Sequence, residues 1–207
     1  MLFVVACLIV NVNAMAAITF EDKALQTCVE QGMEKSRVSQ ISQLVVLKCH
    51  NKGIKSVSGI EQLVGLQNLS LFGNRITSAD LTALKALETI NLAKNNLATI
   101  RIHGLKNLET LYLFKNKLVT INFDGVISLK KMRVMQNKLN ILDIAPLRSL
   151  TEAYLWDNQL KDLQITGLDK LEFLDVKQNP MPDELYDFYD KQTGIMISHD
   201  GNADDWK

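Results

Sequence analysis

Leucines and polar residues alternate in a pattern that recurs along most of the chain. In the segment LETLYLFKNKL, which starts at Leu108, apolar residues occupy the first, fourth, sixth and eleventh positions and Asn116 occupies the ninth. Five further copies, all on the same 21-residue spacing, start at Leu66, Leu87, Leu129, Leu150 and Leu171. A fixed period of this length is typical of a solenoid of stacked coils.

Within each repeat, the Leu-x-Leu core alternates as a strand with one buried face does. We therefore expect successive strands to stack in parallel about 4.8 Å apart. The second half of the repeat echoes the first, as in LNILDIAPL from Leu139, where Leu142 and Ile144 match Met132 and Val134. This echo predicts a short extended segment on the opposite face of every coil.

The consensus L-x-x-L-x-L-x-x-N-x-L, over residues 41–181, resembles that of leucine-rich repeat proteins. The 21-residue spacing is similar to a bacterial subclass of that family and, more loosely, to the internalins. The resemblance implies a repeat solenoid of about seven coils, with a parallel β-sheet on one face and short extended segments on the other. It also implies a role in protein–protein interaction.

The ninth position of the repeat is predicted to be structural. An asparagine side chain offers two N–H donors and an oxygen acceptor, and it falls where the chain turns out of the strand. A stacked ladder of such residues can satisfy backbone groups whose unpaired burial costs about 1 to 3 kcal/mol each. The ladder consists of Asn74, Asn95, Asn116, Asn137, Asn158 and Asn179.

The end coils of a solenoid need caps, because each coil is covered by its neighbours. Residues 17–40 form the predicted N-terminal cap. Thr19 and Asp22 have capping-box spacing, and the apolar residues after them predict a helix over about residues 20–32. Cys28 on this helix and Cys49 in the irregular first coil both face the core, so they form either a disulfide or two buried thiols.

Residues 182–207 are predicted to form the C-terminal cap and tail. Pro180 and Pro182 interrupt the repeat, and DELYDFYDKQ predicts a short helix that packs Leu185, Phe188 and Tyr189 on the last coil. Three tail residues have the spacing of the first calcium ligands of an EF-hand loop: Asp200, Asn202 and Asp204. The tail lacks the glycine and final glutamate of such a loop, which favours a solvated tail.

The first 16 residues resemble a signal peptide. An apolar run from Leu2 to Val10 is followed by Ala14 and Ala16 in A-x-A spacing, although a basic n-region is missing. A second interpretation is a lipoprotein acylated at Cys7, but the apolar residues after Cys7 argue against cleavage there. We therefore expect an exported protein, periplasmic or secreted, with no transmembrane span in the mature chain.

Composition and motifs narrow the function classes. The 23 basic and 23 acidic side chains balance, which argues against a nucleic-acid partner, because such binding relies on excess basic charge. No phosphate-binding, metal or nucleophile motif occurs. The three histidines, His50, His103 and His199, are isolated in sequence. The sequence thus predicts neither an enzyme nor a cofactor.

The outward-facing positions of the strands suggest a binding surface. Aromatic residues, methionine and arginine are enriched at protein interfaces, and they cluster on this face. The candidate binding residues are Phe72, Tyr112, Phe114, Lys131, Arg133, Met135, Glu152, Tyr154, Trp156 and Phe173. The matching sites of the opposite face are polar: Arg101, Asn122, Asp143 and Gln164. The cluster predicts a module that binds a protein or peptide, or less favourably a glycan.

The cluster on the strands is also compatible with a packing role, with self-association or with catalysis. Aromatic residues favour strands through β-propensity alone, and some of them could pack on neighbouring coils. The same surface could pair with a second copy, in a structural or self-associating envelope component without a dedicated ligand. A carbohydrate-active enzyme would need clustered acids, and only Glu152, Asp157 and Asp175 lie nearby.

Overall fold

The structure, a computed structural model, describes residues 19–201. Three sequence predictions fall on residues outside this range. They are the signal peptide of residues 1–16, the alternative acylation at Cys7, and the calcium-ligand spacing that includes Asn202 and Asp204. The elements in chain order are α1 (Lys23–Ser36), β1 (Val46–Lys48), β2 (Asn68–Ser70), β3 (Ser78–Asp80), β4 (Thr89–Asn91), β5 (Thr99–Arg101), β6 (Thr110–Tyr112), β7 (Lys131–Arg133), β8 (Glu152–Tyr154), β9 (Phe173–Asp175), α2 (Asp183–Asp190) and β10 (Met196–Ser198). Short 3-10 turns span Ile41–Gln43 and Ile60–Gln62.

A parallel solenoid of about seven turns forms from these repeats, as the spacing predicts. Eight strands make one sheet in the order β1-β2-β4-β6-β7-β8-β9-β10. Neighbouring strands pair one repeat apart, so that Leu111 lies beside Met132 and Met132 beside Ala153. The repeat leucines fill the interior, and Leu108, Leu111 and Leu113 are completely buried.

The opposite face carries a much smaller sheet. Only β3 and β5 pair there among the described residues. The matching segments 120–122, 141–143 and 162–164 form no strand. The predicted extended segments therefore form a ladder in two coils only.

Backbone hydrogen bonds between coils extend beyond the three-residue strands. The N–H of Leu113 donates to the Arg133 carbonyl at 2.9 Å, and the N–H of Lys115 donates to the Met135 carbonyl at 3.1 Å. Lys115, at the eighth position of its repeat, forms its bond with a backbone in the left-handed region, at φ 57°. The fifth and seventh positions are thus both held in register from coil to coil.

The asparagines of the ninth position link each coil to the one before it. The Asn116 side-chain oxygen accepts from the Leu97 N–H at 3.0 Å, and its amide donates to the carbonyls of Leu92 and Leu113 at 3.0 and 2.8 Å. The same arrangement occurs at Asn74, Asn95, Asn137, Asn158 and Asn179. Each side chain satisfies backbone groups of two coils.

Helix α1 covers the first coil, but it starts and ends later than the predicted span of 20–32. Asp22 is the N-cap residue, and its carboxylate accepts from the N–H groups of Ala24 and Leu25. Gly32 does not end the helix. It faces the side chains of Leu44 and Leu47, and a Cβ there would make ordinary contact with Leu47 at 3.4 Å.

A disulfide between Cys28 and Cys49 joins α1 to the first coil, with their Cα atoms 6.0 Å apart. Of the two alternatives, a disulfide or two buried thiols, the structure shows the disulfide. Both cysteines are buried, so the bond fixes the cap to the end of the hydrophobic core.

Helix α2 covers the last coil with a different set of side chains from the one predicted. Leu185, Tyr186 and Tyr189 are buried, whereas Phe188 is 37% exposed, so the prediction for Phe188 is wrong. The two tyrosines can be buried because their hydroxyl groups find acceptors. The Tyr186 hydroxyl donates to the Asn179 carbonyl at 3.1 Å, and the Tyr189 hydroxyl donates to the Leu163 carbonyl at 2.9 Å. Burial raises the pKa of the Tyr189 phenol.

The segment after α2 adds the last strand to the large sheet. Strand β10 pairs in parallel with β9, with Ile197 beside Leu174. The predicted solvated tail SHDGNADDWK starts at Ser198, so its first residue instead belongs to a strand. Ile195 and Ile197, just before it, pack against the core. None of the helices between residues 19 and 201 is long and apolar enough to cross a membrane.

Candidate ligand-binding face

The strands place the candidate residues in straight columns. Side chains alternate along a strand, so Leu111 and Leu113 point inward while Tyr112 and Phe114 point outward. The parallel register brings Tyr112 beside Arg133 and Arg133 beside Tyr154. We call the ten predicted residues the strand face: Phe72, Tyr112, Phe114, Lys131, Arg133, Met135, Glu152, Tyr154, Trp156 and Phe173. All ten are partly buried.

Arg133 lies at the centre of the strand face, between two tyrosines. Its guanidinium carbon is 5.5 Å from the ring centre of Tyr112 and 4.8 Å from that of Tyr154. Both distances lie within the range of cation–π contacts. The Nε atom of Arg133 is buried and has no hydrogen-bond partner in the described chain.

Polar and aromatic contacts continue on the C-terminal side of Arg133. Lys131 and Glu152 form an ion pair, and the Tyr154 hydroxyl donates to a Glu152 carboxylate oxygen at 3.4 Å. The rings of Tyr154 and Phe173 are 4.9 Å apart. These contacts fix the side chains to each other and limit the entropy that binding would cost.

A second aromatic contact lies on the N-terminal side. The rings of Phe72 and Phe114 are 6.4 Å apart, and Ala93, which occupies the same column between them, is fully buried. The ammonium group of Lys94 lies 5.1 Å from the Phe72 ring centre. The His50 ring extends the column to the first coil, 6.0 Å from Phe72.

Shallow grooves lie at the two ends of the strand face. The N-terminal groove, of about 300 Å³, is lined by Lys48, His50, Asn68, Leu69, Ser70, Thr89, Asn91 and Tyr112. The C-terminal groove, of about 310 Å³, is lined by Trp156, Asp175, Lys177, Gln178 and Asp200. Apart from Tyr112 and Trp156, these residues lie outside the predicted site. Most of them are polar, so the aromatic and apolar pattern that selected the candidate residues does not point to them.

The N-terminal groove contains a hydrogen bond between His50 and Ser70, with 2.7 Å between the imidazole Nε2 and the hydroxyl oxygen. Catalytic serine–histidine pairs need a third group that orients the imidazole. In the described part of the chain, no carboxylate forms an ion pair with His50. The pair therefore offers polar contacts to a ligand and lacks the arrangement of a nucleophilic site.

Charge is distributed unevenly along the strand face and its border. From the N-terminal coil onward, the first charged side chains at repeat positions five, seven and eight are all basic: Lys48, Lys94, Lys115 and Arg133. The first acidic side chains at these positions are Asp157 and Asp175. Asp175 lies 3.9 Å from the Lys177 ammonium. In these columns the central coils therefore carry basic side chains, and the C-terminal end carries charges of both signs.

The opposite face lacks a comparable cluster. Arg101, Asn122, Asp143 and Gln164 are exposed, and Arg101 is 3.4 Å from Asp80. Ile127 and Ile141 are exposed at 54% and 71%; Ile141 is the first residue of segment 141–143, and Ile127 lies outside the segments that match β3 and β5. From Thr19 to Gly201, no three His, Cys, Asp or Glu side chains are grouped as a metal site would require.

Comparison with known proteins agrees with the repeat architecture. A family model for the leucine rich repeat matches residues 64–118, which include three of the ladder asparagines. This segment therefore carries leucine-rich repeats. A search of curated protein sequences gave no significant match to this chain.

Solved structures of several bacterial proteins are similar to this chain. Internalin C2 of Listeria monocytogenes is 21% identical with a TM-score of 0.58, and the match covers 87% of this chain and 94% of that one. A leucine-rich repeat protein of Leptospira interrogans is 24% identical with a TM-score of 0.52, covering 76% and 49%. The functional domain of InlJ from Listeria monocytogenes, which includes a cysteine ladder, is 20% identical with a TM-score of 0.45, covering 78% and 51%. The chain thus spans about half the length of two of these three structures.

Proposed function

We propose that this leucine-rich repeat protein is exported and binds a protein or peptide ligand through its strand face. The observation that carries the proposal is the row of aromatic, methionine and arginine side chains on one face of a regular sheet. Half-buried residues of these types are the usual anchors of protein interfaces. The exposed polar residues of the opposite face provide no such row.

The rigidity of the surface supports the same function. Inter-coil hydrogen bonds hold the backbone, and contacts such as those of Arg133 with Tyr112 and Tyr154 hold the side chains. Preorganised anchors lose little conformational freedom on binding, so more of the contact energy appears as affinity. An extended sheet surface suits a folded partner or an extended peptide better than a small molecule, which binds in an enclosed pocket.

Export is supported by the disulfide. Disulfides persist in oxidising compartments and are rare in the cytosol, and the Cys28–Cys49 bond joins the cap to the core. The sequence of residues 1–16 agrees with this assignment. The proposed location is therefore the periplasm or the exterior of the cell.

The test is affinity capture from envelope and culture-supernatant fractions with the mature protein. The binding variant combines Tyr154→Ala with Trp156→Ala. The matched control combines Ile127→Ala with Ile141→Ala, which removes exposed apolar surface elsewhere. We expect a partner to be retained by the wild type and the control and lost by the binding variant. Equal recovery by all three proteins would contradict the assignment to this face.

Circular dichroism and thermal unfolding of each variant separate binding from folding. Trp156→Ala alone should change the free energy of unfolding by less than about 1 kcal/mol, because partly exposed residues contribute little outside specific packing sites. A larger loss would show that Trp156 acts mainly in packing.

Self-association is the second candidate function, and the outer edge of β10 favours it. Strand β10 is the last strand of the large sheet in the described chain, and Met196 on it is 69% exposed. An exposed strand edge can pair with another chain. Light scattering at micromolar concentration tests this function. A dimer that the Tyr154 and Trp156 double variant retains would fit pairing at the β10 edge, whereas a dimer that this variant abolishes would assign the strand face to self-association.

A further inference from the structure

The environment of Arg133 indicates what the ligand presents to the centre of the strand face. Two tyrosine rings flank the guanidinium, and this leaves its edge, where the N–H groups lie, as the side available for hydrogen bonds. Arg133 is partly exposed, yet its side chain donates no hydrogen bond to any residue that the structure describes. Its Nε is buried, so the terminal Nη groups are the donors that a ligand can reach. A guanidinium carries five N–H donors in a fixed plane that matches a carboxylate.

The charged groups next to Arg133 do not neutralise its charge. Lys131 is neutralised by Glu152, and the Tyr154 hydroxyl is bonded to the same carboxylate. The carboxylates next along the columns, Asp157 and Asp175, belong to the last two coils. No described acid forms an ion pair with Arg133, Lys94 or Lys115.

We propose that Arg133, clamped between Tyr112 and Tyr154, is the anchor for an aspartate or glutamate side chain of the protein ligand. The inference rests on the proposed function and adds the chemistry of the partner. A bidentate carboxylate would receive two parallel charge-assisted hydrogen bonds from the guanidinium. Stacking holds the guanidinium in place beforehand, so little freedom is lost when the bond forms.

The neighbouring column defines the rest of the recognised segment. This column consists of Phe114, Met135 and Trp156. Each of them follows a residue of the Arg133 column by two positions in its own coil, which places the two columns about 7 Å apart. In an extended peptide, side chains two residues apart have the same separation. The ligand segment therefore combines an acidic residue with an apolar one two positions away. Lys94 and Lys115 favour further acids toward the N-terminal coils.

Selection from a displayed library of short random peptides tests this inference without a known partner. The mature wild-type protein and an Arg133→Gln variant, shown by circular dichroism to be folded, are used as baits. Lys131→Gln is the matched control, because Lys131 lies on the same strand and its charge is already paired. We expect peptides selected by the wild type and by the control to be enriched in Asp or Glu beside apolar residues, and those selected by Arg133→Gln to lose that enrichment.

A double-mutant cycle on one selected peptide then measures the coupling. Replacing the peptide's acid by its amide should weaken binding to the wild type and to Lys131→Gln roughly tenfold or more, as expected for a hydrogen bond between charged groups. The same replacement should change binding to Arg133→Gln less than about twofold. Arg133→Lys should restore only part of the coupling, because an ammonium cannot form the planar bidentate contact.

The outcomes that overturn the inference are distinct. Peptides without acids whose binding is lost with Tyr154→Ala and Trp156→Ala would overturn the role of Arg133 and leave the proposed function standing. Arg133-dependent binding of a heparin oligosaccharide, with no acidic peptide selected, would assign the anion to a sulfated glycan. Failure to select any peptide that needs the strand face would overturn both proposals.

Discussion

The phenyl rings of Phe72 and Phe114 lie 6.4 Å apart although a complete coil separates the coils that carry them. The intervening coil has Ala93 at the matching position, and its side chain is fully buried. Adjacent coils of a parallel sheet are about 4.8 Å apart, so a larger residue here would stand between the rings. The small residue therefore allows the two rings to close over it and makes the strand face continuous.

Replacing Ala93 with leucine tests this arrangement. The added carbons have no space beneath the two rings, and overpacking of an enclosed site costs about 1 to 3 kcal/mol. We expect the free energy of unfolding, measured by urea titration, to fall by that amount. Ala98→Leu is the control, because Ala98 is exposed. If the two variants unfold at the same urea concentration, Ala93 is not enclosed.

Replacing Asn116 with alanine tests the asparagine ladder. The substitution removes the acceptor for the Leu97 N–H and the donor for the carbonyls of Leu92 and Leu113. Loss of partners for buried backbone groups should lower the free energy of unfolding by an amount on the order of 1 to 3 kcal/mol. Asn140→Ala provides the comparison, since Asn140 is exposed and its side chain bonds to none of the described residues. A wild-type midpoint for Asn116→Ala would refute the structural role.

Removal of the disulfide by the double substitution Cys28→Ala and Cys49→Ala should destabilise the N-terminal cap. The bond joins residues 21 apart in sequence, and closing a loop of that length stabilises the folded state by about 3 kcal/mol in the chain-entropy model. Thermal unfolding should show a lower midpoint for the double variant and for reduced wild type. Reductant should leave the variant unchanged, and an effect on both proteins would point to a cause other than this bond.

The Asp22 carboxylate should make the attachment of the cap sensitive to acid. Burial acts to raise the pKa of Asp22, but hydrogen bonds from the backbone N–H groups of Lys55, Leu25, Ser56 and Ala24 outweigh it and hold the pKa below its ordinary value. A carboxyl group whose pKa is lower in the folded state adds stability that is fully present above about pH 4. That contribution is lost as the pH falls through the folded-state pKa.

Asp22→Asn isolates the contribution of this charge. At neutral pH the variant should be less stable than the wild type, and the difference in free energy of unfolding should close as the pH falls below about 4. Denaturant titrations at a series of pH values measure the difference. Asp124→Asn, at an exposed position of a later coil, is the matched control. A difference between Asp22→Asn and wild type that does not vary with pH would contradict the assigned charge effect.

The sequence is sufficient to predict the coil architecture, because the repeat period determines which residues stack. Tyr112, Arg133 and Tyr154 share one repeat position, so their adjacency also follows from the sequence. The clamping of Arg133 between the rings does not, since it depends on side-chain conformations in three coils at once. The approach of Phe72 to Phe114 likewise requires knowing that Ala93 leaves space between them.

The ends of the chain are harder to predict than the repeats, because no period constrains them. The prediction of Phe188 in the core fails because burial of Tyr186 brings its hydroxyl to the Asn179 carbonyl, a contact that helical spacing does not reveal. Strand β10 has no repeat signature. The sequence also does not show why the second sheet contains only β3 and β5 among the described residues. Thr120-Ile121-Asn122 closely resembles the Thr99-Ile100-Arg101 segment of β5, yet it forms no strand.

The most direct test of the central claim is hydroxyl-radical footprinting of the protein alone and in complex with its captured partner. If the strand face is the binding surface, the partner should protect Trp156, Tyr154 and Phe173 from oxidation. Phe188 on α2, which is 37% exposed, should be oxidised equally in both samples. Unchanged oxidation of Trp156 and Tyr154, with protection elsewhere on the solenoid, would contradict binding at this face.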